Sequence, residues 1–301
     1  MEQDRSRFVP DARRAGQSFE CDENGFPAWE EWKSYLGSRN EPKLIRRLTA
    51  AGKEDVPGLW GLTDVVSPDA ARFVRRLELA TRKNAGRNGQ STNWNREAAR
   101  WVTEAENSIA TVDFACTAVG WAQALPRLAR ELEEQIWWGL LRWLVDASEQ
   151  VHHGHGGNLV VTQLIGGDLG AVLACLFPEL PACSSLGKRS IRVVAESLVE
   201  LTDGEGIVHG ASFQHQRALL GCWTRVRSWM TQMRKAKFGA DASEQFEWFV
   251  RQNLRFSRPD GGLVFSAVGG NTTGFHSLVR SALQFSEDHD DVLIADTLLP
   301  V

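Results

Sequence analysis

The stretch "RLARELEEQIWWGLLRWLV" sets Leu128, Leu132, Ile136, Leu140 and Leu144 four residues apart, with Glu131, Glu133 and Glu134 between them. A strand would put Arg130 and Glu134 on the same face as the leucines. A helix gathers the leucines into one stripe and turns the glutamates away. The same period returns in "RSIRVVAESLVEL" with Ile191, Val194, Leu198 and Leu201. "RALLGCWTRVRSWMTQM" repeats it with Leu219, Leu220, Trp223, Val226, Met230 and Met233, and "EQFEWFVRQNLRF" with Phe246, Phe249, Val250 and Leu254. "VVTQLIGGDLGAVLACLF" is apolar nearly all round and reads as a buried helix despite its glycines. Earlier in the chain, "SPDAARFVRRLELATRK" has a helix start at Ser67-Pro68-Asp69. Only "GLVFSAV" has the look of a strand, so the expected class is all-α.

These helices fall into pairs: approximately 107–125 with 128–150, 160–177 with 186–202, and 212–238 with 242–257. Two between-pair links open with Asp-Gly, at Asp203-Gly204 and Asp260-Gly261. Glycine just past a helix end is the expected left-handed stop, and its recurrence points to an array of helical hairpins. In such an up-down array every second loop lies at the same end. The between-pair loops would then share one rim, carrying His152, His153, His155, Asn158, Asp203, Glu205, His209 and Asp260, with His215 and His276 close behind. The chain divides into a polar, flexible N-terminus (1–25), short helices joining the array (26–105), the array itself (106–285) and an acidic, solvated tail (286–301).

Composition narrows the function. A net charge of −4 and 43% hydrophobic residues give no reason to expect nucleic acid or a membrane as partner. Twelve Trp suit core packing first, and stacking on sugar rings second. Five widely spaced Cys without a CxxC pair fit reduced thiols, and Cys175 and Cys222 fall on apolar faces. The N-terminus "MEQDRSRFVPDARR" is charged, and no run reads as long enough to span a bilayer. The expected location is cytoplasmic, or periplasmic or secreted if a leader lies upstream. Oligomeric state is not encoded in any feature of the chain.

"LACLFPELP", then "AESLVELTDGEGIVHGASFQHQ", then "NLRFSRPDGG" resemble, in that order, the helical domain of the heparinase II/III-like polysaccharide lyases. The resemblance covers roughly residues 110 to 270. It implies an incomplete α/α toroid built from helical hairpins, with little or no room for the family's β-sandwich. It also implies an acidic polysaccharide or oligosaccharide as partner; separately, no motif in the chain leads to the expectation of a cofactor or metal. Asn158 matches the asparagine that helps neutralise a uronate carboxylate in the family, but the histidine expected next is Leu159. Ser212 matches the serine of a Glu-x-Ser-x-x-Tyr segment, whose glutamate is Gly210 and whose tyrosine, the family's usual proton donor, is His215. The polar residue after the "PDG" turn has Asn271 as its nearest counterpart.

β-Elimination requires a neutralised carboxylate, a base for the adjacent C–H and an acid for the leaving oxygen. Asn158, His215 and His209 are the expected catalytic residues; His153, His155, Asp203, Ser212 and Asp260 are the expected substrate-binding ones. Imidazole suits either proton-transfer role. Other readings stand beside this one. Asn158 is also a favoured helix cap, and Asp203 and Asp260 also suit helix-end turns. The "HHGH" cluster has two metal-type donors at His153 and His155 but no HExxH or CxxC frame. A non-catalytic glycan- or protein-binding relative, or a toroid glycoside hydrolase pairing Glu205 with Asp260 or Asp168, are the alternatives.

Overall fold

Helix start signals and helical periodicity are realised throughout the computed structural model, which describes residues 5–23, 25–39, 56–81, 92–105, 111–151, 158–233, 236–258, 262–264, 274–286 and 289–298. Among these residues the helices are α1 (Trp29–Ser38), α2 (Pro68–Thr81), α3 (Trp94–Ala105), α4 (Val112–Leu128), α5 (Glu134–Val151), α6 (Leu159–Leu176), α7 (Pro181–Leu201), α8 (Gln216–Met230), α9 (Ala240–Arg255), α10 (Phe275–Leu283) and α11 (His289–Leu298). The described residues are all-helical and contain no strand, only three isolated bridges. Ser67 caps α2 by accepting from the Ala70 N–H, and Thr111 caps α4 by accepting from that of Phe114. Pro181, its missing N–H harmless at a helix start, opens α7 within the segment "PELPACSSLG" that the sequence reads as a link.

From α2 onward the chain alternates between two layers. Each even-numbered helix packs on the even one before it, and α3, α5, α7, α9 and α11 are neighbours in the same serial way. The even helices run parallel. Ser67 and Phe73 at α2 meet Asp113 and Trp121 of α4 in step. Gln163 and Asp168 of α6 meet Trp223 and Arg225 of α8, and Arg217 and Arg227 of α8 meet Phe275 and Phe285 at α10. Trp137, at the start of α5, touches the ends of both α4 and α6, through Leu125 O at 2.9 Å and the Phe177 ring. All the even helices therefore begin at one rim. α4, α6 and α8 are buried nearly all round, while the odd helices keep a solvent face.

The packing of the inner layer is close enough to require glycine. A Cβ on Gly170 would stand 2.2 Å from Ser190 Oγ, and one on Gly221 would stand 1.9 Å from Trp60 O. The second contact marks where residues 56–62 lie against α8. Arg225, fully buried, fixes that segment: Nε bonds Asp168 Oδ2 at 2.5 Å, and Nη1 bonds the carbonyls of Pro57 and Trp60 at 3.2 and 3.1 Å. Burial pushes the Asp168 carboxyl above its usual range, and the Arg225 charge opposes that rise. Asp168 lies in a π-helical stretch of α6, Gln163–Leu169.

Three expectations meet a different structure, and a fourth falls mostly outside the described residues. Residues of the polar N-terminus are tied down: Phe8 is buried, Arg7 bonds Glu149 at 2.7 Å, and the Asp11 N–H bonds Glu179 O at 2.7 Å. One aromatic residue and a few long-range bonds achieve this, and such a small signal is lost in a polar composition. The acidic tail is not wholly solvated. It forms α11, where Asp291 is buried and receives the Arg251 Nε–H at 3.0 Å on each oxygen. α6 is long and apolar enough to cross a membrane by length and composition, and 89% of it is buried inside the fold. Of the candidate strand, Leu263 makes one bridge to Ser257, and residues 265–268 lie outside the described ones.

The buried pair generates a stability prediction. Arg225→Met should lower the unfolding free energy by about 3–5 kcal/mol, because it strands the Asp168 charge. Adding Asp168→Leu should restore most of that loss. Urea unfolding of the two variants beside the wild type checks both.

Candidate functional site

The rim where the even helices begin is built from their caps and the loops that lead into them. Asn158 is the N-cap of α6, and its Oδ1 accepts from Val160 N–H at 2.9 Å and Val161 N–H at 3.5 Å. The cap uses only the oxygen. The side chain is exposed, and among the described residues its two Nδ2 protons have no partner. Leu159, where the resembled family has histidine, is half-buried against the core.

The second rim segment runs from α7 to α8. Asp203 Oδ1 accepts from the Glu205 and Ile207 N–H groups, both at 3.0 Å, which makes it a turn residue. Thr202 bridges Val208, and the His209 N–H bonds Leu201 O at 2.9 Å, closing the loop. Its exposed His209 leads into a 3-10 turn, Gly210–His215, in which the Ser212 N–H bonds His209 O at 2.8 Å. His215 ends that turn and starts α8. It is half-buried; Nε2 lies 3.3 Å from Gln214 Nε2, and Nδ1 is buried without a hydrogen-bond partner.

This loop is one of three with the same backbone bonding. Bridges join Cys21 to Pro27, Thr202 to Val208 and Ser257 to Leu263. In each, the residue after the first bridge position donates its N–H to the residue before the last: Asp22 to Phe26, Asp203 to Ile207 and Arg258 to Gly262. The Asp-Gly recurrence in the sequence marks the second and third loops. The first, "CDENGFP", lacks the adjacent pair, so no Asp-Gly signal marks it.

Helix register shows what shares the rim. Trp223 Nε1 donates to Gln163 Oε1 at 2.8 Å, pinning α6 to α8. Asn158 is five residues before Gln163, and Gln216 is seven before Trp223. At 1.5 Å rise per residue they stand about 7.5 and about 10.5 Å beyond that bond, toward the same end. Asn158 and the start of α8 are therefore level. His153, His155 and Asp260, expected at this rim, and Asn271 lie outside the described residues.

Three polar groups at the rim carry more than the sequence reading gave them. Gln216 has no solvent exposure, and neither of its amide atoms has a hydrogen-bond partner. Arg217 sits 4.7 Å over the Phe275 ring and 4.0 Å from Asp64. His276, in the first turn of α10, has Nε2 buried without a partner. The available signal was the stripe Arg217, Gly221, Arg225, two cations and a glycine four residues apart on one face of the helix. Elsewhere the Cys116, Cys175 and Cys222 thiols are pushed up to about 12 by burial, which disfavours the nucleophilic thiolate. All twelve Trp are buried or half-buried. No family model, curated protein or solved structure matches this chain.

Two substitutions separate structural from ligand-facing polar groups. Asn158→Ala should cost about 1 kcal/mol of unfolding free energy through the lost cap, with Asn158→Asp close to wild type. Gln216→Leu should leave stability unchanged or raise it by about 1 kcal/mol, because it removes two unsatisfied buried groups. Chemical denaturation measures both.

Proposed function

We propose that the helical hairpins form an incomplete α/α toroid that binds uronic-acid-containing polysaccharide at the rim and cleaves it by β-elimination, with His215 as the proton-transfer group. The observation that carries this reading is the placement of His215. It is the N-cap of α8, its Nδ1 buried and unpartnered, level with an Asn158 whose amide protons have no partner among the described residues. The parallel even helices add to it, since helix N-termini favour negative charge and here several share one rim. The order of motifs that resembles the heparinase II/III-like lyases supports the same ligand class.

In the proposed reaction the substrate carboxylate takes hydrogen bonds from Asn158 Nδ2 and from helix-terminal N–H groups. That withdraws electrons from the adjacent carbon and acidifies its proton. His215 removes the proton, the electron pair becomes the C=C bond, the glycosidic C–O bond breaks, and the leaving oxygen takes up a proton. One imidazole on the right face can serve as base and then as acid. His209, exposed six residues earlier, is the second proton-transfer candidate; Ser212 and Asp203 belong to the wall on that side.

A binding-only role is the second reading. Leu159 and Gly210 stand where the family has a histidine and a glutamate, so a site could retain the ligand and lose the chemistry. Incubation with a panel of uronic-acid polymers, followed by ultraviolet absorbance, distinguishes them because elimination creates an unsaturated uronate. Rising absorbance that falls about 100-fold in His215→Ala is the expected result. Absorbance unaffected by His215→Ala sinks the role given to His215. Binding without product on the same panel selects the second reading, and saturated products would mean hydrolysis.

A further inference from the structure

α2 and α3 are consecutive but do not pack tightly on each other, whereas from α4 onward every consecutive pair of helices is in close contact. Between them is a cleft of ≈ 600 Å³, floored by the first two turns of α4. Its size falls in the range of about 300–1,000 Å³ occupied by small-ligand sites. The floor and lower walls are aromatic. Trp101 stacks on Phe114 at 4.6 Å and 13°, and Phe73 lines the other side. Trp101 is fixed by its Nε1–H bond to Thr117 Oγ1 at 2.9 Å, so this surface is rigid.

The two walls carry opposite charge, and the floor adds Asp113, whose carboxylate already accepts the Ser67 N–H at 2.7 Å. α2 contributes Arg72 and Arg76 against Asp69, two cations to one anion. α3 contributes Arg100 against Glu97 and Glu104, one cation to two anions. The local pairs show where each surplus lies. Arg72 is paired with Asp69 within its own helix, which leaves Arg76. The Arg76 guanidinium lies over the Phe73 and Trp94 rings, 5.6 and 5.7 Å from their centroids, and has no carboxylate partner among the described residues. On α3, Arg100 is shared between Glu97 at 2.9 Å and Glu104 at 3.8 Å, so one carboxylate is in excess. Glu97 is the most sheltered member of these pairs at 20% exposure, while Asp69, Arg72, Arg100 and Glu104 are well exposed, and pairs with exposed members are weak enough to exchange partners.

We propose that this cleft binds a short zwitterionic peptide with an apolar side chain, its C-terminal carboxylate on Arg76 and its N-terminal ammonium on Glu97 and Glu104. The apolar side chain rests on Phe73, Trp101 and Phe114. A guanidinium fork matches a carboxylate in two parallel bonds, and the stacked rings already hold Arg76 in place. A purely anionic ligand would meet the α3 surplus, and a purely cationic one the α2 surplus. Only a ligand carrying both charges uses both walls. The proposal does not rest on the proposed His215 chemistry.

The test uses the dipeptide phenylalanyl-leucine with free termini, titrated into the full chain and followed by calorimetry and by tryptophan fluorescence. The expected result is saturable binding weakened at least about tenfold by amidating the C-terminus or acetylating the N-terminus. Arg76→Ala and Glu97→Gln should each weaken the free dipeptide by a similar factor, with melting temperatures near wild type. Once Arg76 is absent, amidating the C-terminus should have no further effect. That non-additivity is a readout a merely folded-state role for Arg76 does not give. Absence of saturable binding, or equal affinity for free and doubly blocked dipeptide, overturns the proposal. Binding that survives Arg76→Ala unchanged overturns it as well.

Discussion

One buried charge pair sets the position of three parts of this molecule. Arg225 comes from α8 and Asp168 from α6, and the carbonyls of Pro57 and Trp60 belong to the segment leading into α2. An isolated ion at that depth would be strongly disfavoured, so each partner requires the other and the guanidinium requires its carbonyls. The geometry is correspondingly exacting. Gly221 is glycine because the backbone of Trp60 occupies the place of a side chain. Val56, Leu59, Trp60 and Leu62 are all buried along this seam. The early segment is therefore part of the inner layer's packing, although it lies far from α8 in the chain.

The rim depends on this arrangement. Parallel even helices present their first turns together only if their relative heights are held. The Gln163–Trp223 bond and the Asp168–Arg225 pair do so for α6 and α8. The Arg217–Phe275 and Arg227–Phe285 contacts continue the same register into α10. A slip of one turn between α6 and α8 would separate Asn158 from the start of α8 by about 5 Å in height. The Gln163–Trp223 and Asp168–Arg225 contacts thus set the height of the rim from below it.

The helices were legible because burial imposes a period on the sequence, and the pairings followed from short links. The π-helical stretch was not legible. A single widened turn leaves an apolar run apolar, and "QLIGGDL" shows only that something packs closely at its glycines. Asp168 reads in sequence as a candidate catalytic carboxylate; it is instead the buried partner of Arg225. Asp291 belongs to a run of acids that composition assigns to solvent, and only Arg251 on a neighbouring helix makes it structural. At the rim, Asn158 and Asp203 were legible as cap and turn because those roles are local. Gln216 was not, since its burial without a partner is a property of three dimensions. The α2–α3 cleft was equally hidden: its residues read as an ordinary amphipathic pair, and the gap between the two helices is a property of three dimensions.

The three bridged loops have the same main-chain bonds and little sequence in common. Asp22 and Asp203 also fold their carboxylates back onto the loop, whereas the third copy has Arg258 in that position and closes the same N–H to C=O bond. The backbone therefore carries the shape, and the side chains along it are at liberty to drift. Such connectors behave as exchangeable parts, so new residues can be presented beside a helix mouth without redesigning the helices beneath. In a scaffold of this kind, chemical novelty can arise at the turns while the core remains unaltered.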